Sequence, residues 1–176
     1  MRRVLILVPL GLGLVMVGGV FLPRSWFYRH RRPTRLGRAT NRFMGWLSYL
    51  GLPPSWAVAL EVRGRRTGRL CATALVVGEY GGQRYLVSML GERSEWVRNV
   101  RAAGGEAVLR HGSRERVRLE EVPTEERAPI LHAYLQRAVG ARSHIPVQHD
   151  APAEEFARVA AEYPVFRILL SQPMPP

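Results

Sequence analysis

The chain has 176 residues, of which 47% are hydrophobic and 23% are charged. This balance is typical of a chain that buries one core of about 100–150 residues, and it excludes wholesale disorder. The single cysteine, Cys71, excludes an intrachain disulfide and an all-cysteine metal site. Because all 26 basic residues are arginines, a P-loop, a Schiff-base lysine and a lysine-dependent kinase site are excluded as well.

The positive charge is concentrated in the N-terminal part of the chain. The formal net charge is +12, from 26 basic and 14 acidic residues. Residues 1–69 carry thirteen arginines and one acid, Glu61, whereas residues 70–176 carry equal numbers of arginines and acids. This asymmetry indicates a basic arm attached to a domain without net charge.

The first predicted element is a membrane-spanning helix. The 19 residues Val4–Leu22 contain no charge, and thirteen of them are Val, Leu, Ile or Phe. A helix of this length measures about 28 Å, close to the roughly 30 Å hydrocarbon thickness of a bilayer. A cleaved signal peptide usually has a shorter apolar segment and a small-residue cleavage site, which residues 21–24 (Phe-Leu-Pro-Arg) do not provide. We therefore expect an uncleaved transmembrane anchor over residues 1–23 rather than a signal peptide or a buried core helix.

An arginine-rich juxtamembrane arm is predicted over residues 24–38. Seven arginines follow the span within residues 24–42 and two precede it, and positive charge is retained on the cytoplasmic side. We therefore expect a single-pass protein of the cell membrane with its domain on the cytoplasmic face. Arginines next to aromatic residues 26–28 also suit nucleic acid. Next to a hydrophobic span, however, anionic lipid is the nearer partner, at about 1 kcal/mol per arginine, so no nucleic-acid partner is predicted.

The remaining domain is predicted over residues 39–172 and begins with a helix at 39–50, where apolar residues recur with helical spacing. Alternating apolar residues and turn signals then predict strands. The predicted strands are 58–62, 70–77, 84–89, 106–111 and 114–122. Further helices are predicted over 95–103, from 123–126 to Gly140, and over 152–163.

These elements predict the architecture of the domain. Five or more short strands with helices between and after them favour an α+β fold, a small, mostly antiparallel barrel with flanking helices. Apolar residues alternate with Glu61 and Arg63 in the first strand, which predicts that this strand is half-buried. The alternation in the second strand predicts that Cys71 is a buried, inert thiol.

The turn Gly64–Arg69 places three guanidinium groups and a hydroxyl between and beside two glycines. Successive backbone N–H groups in such a turn form an anion-binding nest, and arginine binds phosphate or carboxylate through two hydrogen bonds. The alternative interpretation is a solvated hairpin turn in a chain that uses arginine throughout. The turn alone does not decide between the two.

The helix predicted after Ser94, a plausible N-cap, carries a second motif. Trp96, Asn99 and Val100 have the spacing of one helix face. A core tryptophan with a capping asparagine is the simpler explanation of this motif when it is taken alone.

The two motifs together carry a family resemblance. The chain contains Gly-Arg-Arg-Thr-Gly between two strands, then Tyr-Leu-Val-Ser, then Trp-Val-Arg-Asn-Val-Arg-Ala-Ala-Gly. This combination resembles the deazaflavin-dependent nitroreductase family, also described as deazaflavin-dependent quinone reductases. The resemblance runs from about Trp56 to Phe166 and leaves out the span and the arm. It implies a split β-barrel of the FMN-binding type that binds coenzyme F-420, an 8-hydroxy-5-deazaflavin. The tail of this coenzyme carries a phosphodiester and several glutamyl carboxylates.

The resemblance also implies which residues bind the coenzyme. In the family the glycine-bounded turn grips the anionic tail, and Arg69 would compensate for Leu70-Cys71, where members usually show Pro-Arg. Positions matching residues 96 and 99 lie close to the cofactor in the family, and residue 88 falls in the loop that approaches the ring. The implied cofactor-binding residues are Arg65, Arg66, Thr67, Gly68, Arg69, Ser88, Trp96 and Asn99.

The implied activity is hydride transfer from reduced coenzyme F-420 to a small-molecule acceptor, namely a quinone, a nitroaromatic compound or an enone. The accompanying proton would come from water or from a hydroxyl, with Ser88 and Tyr134 as candidate donors, and no metal is predicted. Two alternatives stay open: a barrel that holds FMN or haem, and a non-catalytic membrane-surface module whose arginines bind anionic lipid. Formation of a homodimer is also left open.

Overall fold

A computed structural model describes residues 28–29, 32–33 and 56–170 of the chain. The chain divides into two units, Met1–Arg38 and Ala39–Pro176. In the first unit, strands β1 (Tyr28–Arg29) and β2 (Arg32–Pro33) pair antiparallel. The predicted membrane span and the predicted helix at 39–50 fall outside the described residues. Within the described ranges, no helix is long and apolar enough to cross a membrane.

The described part of the second unit contains six strands, three α-helices and three short 3-10 turns. The strands are β3 (Ala57–Arg63), β4 (Leu70–Tyr80), β5 (Gln83–Val87), β6 (Glu106–His111), β7 (Ser113–Glu121) and β8 (Val165–Leu170). The α-helices are α1 (Glu95–Ala102), α2 (Arg127–Arg137) and α3 (Ala153–Val159). Short 3-10 turns occur at Thr124–Glu126, Val139–Ala141 and Ala160–Glu162.

Strands β3 to β8 form a closed barrel in the order β3-β4-β5-β8-β7-β6, and β6 pairs back onto β3. Every neighbouring pair is antiparallel. The predicted antiparallel barrel with flanking helices is therefore confirmed, and the five predicted strands correspond to β3 to β7.

The strand β8 was not predicted from the sequence pattern. It follows Pro164 and reads Val-Phe-Arg-Ile-Leu-Leu, which lacks the alternation expected of a half-exposed strand. It pairs with two strands that are distant in sequence, placing Phe166 opposite Leu86 on β5 and Ile168 opposite Leu119 on β7. These long-range pairings close the barrel.

The core has two parts. Inward-facing strand residues and the buried face of α1 fill the barrel, with Leu60, Leu86, Val97, Val100 and Phe166 among them. A second cluster lies where α2 and α3 pack on the outside of the barrel, and its members include Leu131, Leu135, Phe156 and Tyr163.

Strand β3 is buried on both faces, so the prediction that it is half-buried was wrong. Its outward-facing residue Glu61 is only 2% exposed. Arg114 on β7 donates to the Glu61 carboxylate at 2.8 Å, and Arg110 on β6 lies 3.8 Å from it. A buried carboxylate is tolerated because these arginines lie beside it, and the spacing of residues along β3 does not reveal them.

Candidate active site

The turn Gly64–Arg69 joins β3 to β4 and has a closed backbone. The Gly64 N–H donates to the Arg69 carbonyl, and the Gly68 N–H donates to the Gly64 carbonyl, both at 2.8 Å. Gly68 has a φ of +66°, a conformation that favours glycine. A Cβ at position 64 would lie 3.0 Å from Cys71 Sγ and 3.2 Å from the Arg69 carbonyl oxygen. Gly68 is therefore favoured by its backbone conformation, and a side chain at position 64 would require its neighbours to shift by a few tenths of an ångström.

The side chain of Arg65 binds helix α1. Its guanidinium donates to Glu95 Oε2 at 2.7 Å and to Asn99 Oδ1 at 3.0 Å. Its backbone N–H also donates to Asn99 Oδ1, at 3.2 Å. The hydrogen bond from Arg65 lowers the pKa of the Glu95 carboxyl, and the same bond raises the pKa of Arg65. Arg65, Glu95 and Asn99 together form a bracket that joins the turn to α1.

The rest of the turn is exposed. Arg66, Thr67 and Arg69 all face solvent. The Thr67 hydroxyl accepts a hydrogen bond from the Arg69 N–H at 3.4 Å. Across the described residues, neither Arg66 nor Arg69 forms an ion pair within 4.0 Å. The turn thus presents two exposed guanidinium groups, which form no ion pair with the described residues, on a backbone that the bracket holds in place.

Trp96 lies in the core rather than on an open surface. It is 7% exposed, and its ring centroid is 5.4 Å from that of Phe166 inside the barrel. Trp96, Asn99 and Val100 are all buried, as their helical spacing predicts. The amide of Asn99 serves the bracket, so the structure brings the two sequence motifs into contact through Asn99 and Arg65.

The serines before α1 hydrogen-bond each other. The Ser88 hydroxyl donates to the Gly91 carbonyl at 2.8 Å, and its oxygen lies 2.7 Å from the Ser94 hydroxyl. Ser88 is only 1% exposed. Ser94 occupies the N-cap position as predicted, but its hydroxyl does not cap the helix, because it is bonded to Ser88 instead.

Tyr134, the other candidate proton donor, lies on α2 in the cluster outside the barrel. It is buried, and its ring packs on Gly78 of β4, where an added Cβ would lie 3.1 Å from Cδ2 of Tyr134. Trp96 belongs to the other cluster, inside the barrel. The structure therefore does not place Tyr134 and Trp96 in the same cluster.

Cys71 is exposed, so the prediction of a buried thiol was wrong. The first residues of β4 extend beyond the barrel with the turn, and Leu70 is 58% exposed there. The Cys71 thiol contacts the Arg69 carbonyl at 3.6 Å.

The residue that sequence reasoning missed at this site is Glu95. Its Oε2 holds Arg65, which the family resemblance implied to be a coenzyme-binding residue. The sequence does show an acidic residue at the first position of a predicted helix. Acidic residues are common there because they stabilise the positive end of the helix dipole, so this residue does not by itself indicate a partner. A pocket at the far end of the barrel was also missed.

The closed barrel with helices packed around it is the split-barrel fold. A protein from Agrobacterium tumefaciens, Atu2129 (unknown function), has the same fold with a TM-score of 0.52 and 14% identity over 86% of this chain and 57% of that one. Rv2991, a conserved hypothetical protein from Mycobacterium tuberculosis, gives 0.49 and 13% over 86% of each chain. An F420-H2 dependent reductase, FDR-A, gives 0.43 and 16% over 64% of this chain and 93% of that one.

The family model described as F420H(2)-dependent quinone reductase matches residues 35–152. The chain belongs to this family, which confirms the resemblance drawn from the two motifs. It is thereby a member of a family of oxidoreductases that depend on coenzyme F-420. No curated protein matches the chain by sequence.

Proposed function

We propose that this protein uses reduced coenzyme F-420 to reduce a quinone, a nitroaromatic compound or an enone, and that the turn Gly64–Arg69 holds the coenzyme's anionic tail. The observation that carries the proposal is the pair of exposed guanidinium groups, Arg66 and Arg69, without ion-pair partners among the described residues. Guanidinium groups bind phosphate and carboxylate through two parallel hydrogen bonds. A tail with a phosphodiester and several carboxylates matches these donors.

The bracket assigns Arg65 a different role from that of its neighbours. Its guanidinium is already bonded to Glu95 and Asn99, so it is not free for an anion in this conformation. We assign Arg65 the positioning of the turn, and Arg66 and Arg69 the contact with the tail. Thr67 and Gly68 complete the turn, in which the backbone N–H groups of Gly64, Gly68 and Arg69 already donate to other groups of the turn. The contact with the tail is therefore assigned to side chains.

The coenzyme supplies a hydride when it is bound, and the chain supplies binding and orientation. The proton that accompanies reduction is assigned here to water. The Ser88 hydroxyl is buried and already donates to the Gly91 carbonyl, and Tyr134 is buried against Gly78. Ser88→Ala is therefore expected to keep the turnover number of the folded enzyme within about threefold. A loss of more than a hundredfold, in the range of a missing general acid, would instead make Ser88 the proton donor.

A lipid-soluble quinone as the acceptor gives the apolar N-terminal segment a role in the reaction. We assign the span Val4–Leu22 to a membrane anchor and the domain to the cytoplasmic face, with the arm at residues 24–38 against anionic lipids. Support comes from the uncharged length of the span and from the excess of arginines after it. Such an anchor would hold the enzyme where a lipid-soluble quinone resides.

The test is an anaerobic assay of the full chain in lipid nanodiscs. Reduced coenzyme F-420 is mixed with a menaquinone analogue, and oxidation of the coenzyme is followed by its absorbance. We expect turnover above the protein-free rate, a strong decrease in Arg66→Ala, and no change in the control Arg116→Ala, which removes an exposed arginine of β7. Absence of turnover with the quinone, a nitroaromatic compound and an enone would overturn the proposal.

A further inference from the structure

A pocket of about 370 Å³ opens at the end of the barrel opposite the turn. Its floor is apolar and consists of Val58, Val77 and Leu109. Val58 and Gly64 are six positions apart along the chain, which is about 20 Å at roughly 3.3 Å per residue of strand. The pocket is therefore distinct from the turn.

The pocket is formed by a change of residue type along the inward-facing positions of the strands. Side chains of a strand alternate between its faces, so residues two apart share a face. On β4 the inward positions change from Val77 to Glu79, and on β6 they change from Leu109 to His111. Together with Glu79 and His111, a ring of further residues surrounds the pocket, namely Trp56, Arg84, Ser113 and Glu115, and Arg137 reaches it from α2 on the outside of the barrel.

The charges in this ring cancel each other. Arg84 donates to both carboxylate oxygens of Glu115, at 2.5 and 3.1 Å. Arg137 donates to Glu79 at 3.0 Å. Since each guanidinium has a carboxylate partner, the pocket offers no uncompensated charge to an ion. Its chemistry favours a neutral molecule.

His111 provides a directed hydrogen-bonding group. Its Nδ1 lies 2.9 Å from the Ala57 carbonyl oxygen, which can only accept. Nδ1 therefore carries the proton, and in the neutral ring Nε2 is left as an acceptor. Among the described residues, Nε2 has no hydrogen-bond partner. The half-buried ring of Trp56 adds an aromatic surface to the same pocket.

We propose that this pocket is a second small-molecule site, which binds a neutral planar aromatic molecule carrying one N–H or O–H donor. The apolar floor and Trp56 would contact the ring, and His111 Nε2 would accept the hydrogen bond. If the ion pairs served only to close the end of the barrel, the acceptor His111 Nε2 and the aromatic ring of Trp56 would have no role there. The proposal does not rest on the function of the turn.

The test uses three probes of matched shape, namely indole, 1-methylindole and indole-3-carboxylate, titrated against the full chain. Binding is followed by the 15N-indole NMR signal of Trp56, assigned with Trp56→Phe. We expect indole to shift this signal, 1-methylindole to bind about three- to tenfold more weakly because one hydrogen bond is lost, and the carboxylate to bind more weakly still.

The variant His111→Asn tests whether the pocket binds a small molecule or only closes the end of the barrel. Its amide retains an N–H near the Ala57 carbonyl but has no ring nitrogen at the Nε2 position. We expect indole and 1-methylindole to bind this variant within about twofold of each other, and Arg66→Ala to bind all three probes as the wild type does. A Trp56 signal unmoved by indole, or an unchanged preference for indole in His111→Asn, would overturn the proposal.

Discussion

Arg65 shows how the same residue type takes different roles within one turn. Its guanidinium lies against α1, whereas Arg66 and Arg69 remain in solvent. The sequence alone does not separate these arginines, because the partner of Arg65 is Glu95, thirty residues further along. Their separation depends on the docking of α1 against the barrel, a tertiary contact.

The charge on Glu95 is expected to matter for stability in a defined pH range. Arg65 lowers the pKa of Glu95, so the pair contributes stability above the ordinary glutamate pKa of about 4.3, and this contribution is lost as pH falls through the lowered pKa. Glu95→Gln should therefore be less stable than the wild type near about pH 7 and equally stable near about pH 2. Urea unfolding at both pH values checks this.

The size of the Glu95 effect should be that of an exposed ion pair, because the carboxylate is 68% exposed. Glu154→Gln, which removes an exposed carboxylate on α3 that forms no ion pair in the described part of the chain, serves as the control. A stability difference for Glu95→Gln that persists unchanged at the lower pH would contradict the assignment.

Helix α1 is held in place by a second arginine besides Arg65. Arg101 donates to Glu92 at 2.6 Å and to Glu121 at 2.7 and 2.8 Å. These bonds raise the pKa of the guanidinium and join α1 to the loop before it and to the end of β7. This cluster adds to the buried residues of α1 in fixing the helix that carries the bracket at Arg65.

Replacement of Arg101 by lysine should not restore this cluster. An ammonium group cannot bind two carboxylates with the planar geometry of guanidinium. Because the side chain is 39% exposed, solvent screening limits the expected loss to about 1 kcal/mol for both Arg101→Lys and Arg101→Met. Urea unfolding measures the loss, which should shrink in about 1 M salt. Wild-type stability in Arg101→Lys would show that charge alone suffices.

Two glycines with positive φ, Gly104 and Gly105, follow the end of α1. A Cβ at Gly105 would lie 2.5 Å from the Leu119 carbonyl oxygen, whereas one at Gly104 would meet open space. Gly104→Ala should therefore cost about 1–2 kcal/mol from backbone conformation alone, and Gly105→Ala should cost more than about 3 kcal/mol. Thermal unfolding of the two variants checks the order, and equal losses would contradict it.

The elements predicted from the sequence are those whose own residues show a periodic pattern or are followed by turn residues. Strands β3 to β7 show alternation or turn glycines, and α1 to α3 show helical spacing. Strand β8 has neither, since it is nearly continuously apolar and acquires its role only by pairing with β5 and β7. The burial of Glu61 was missed for the same reason, because Arg110 and Arg114 reach it from other strands.

At the scale of the whole molecule, the family and its cofactor class could be predicted from the sequence because the resemblance rests on two short motifs of consecutive residues. The pocket at the far end of the barrel was not, because its residues come from five strands and a helix and share no motif. The order of strands in the closed barrel depends on pairing between distant segments, so no single segment predicts it.

The central claim is that Arg66 and Arg69 bind the anionic tail of coenzyme F-420. The most direct measurement is the dissociation constant of the coenzyme for the wild type, Arg66→Ala, Arg69→Ala and the control Arg116→Ala. We predict that each turn variant binds about tenfold more weakly, that the control binds as the wild type does, and that added salt weakens wild-type binding most. Equal affinity of all four proteins would contradict the account.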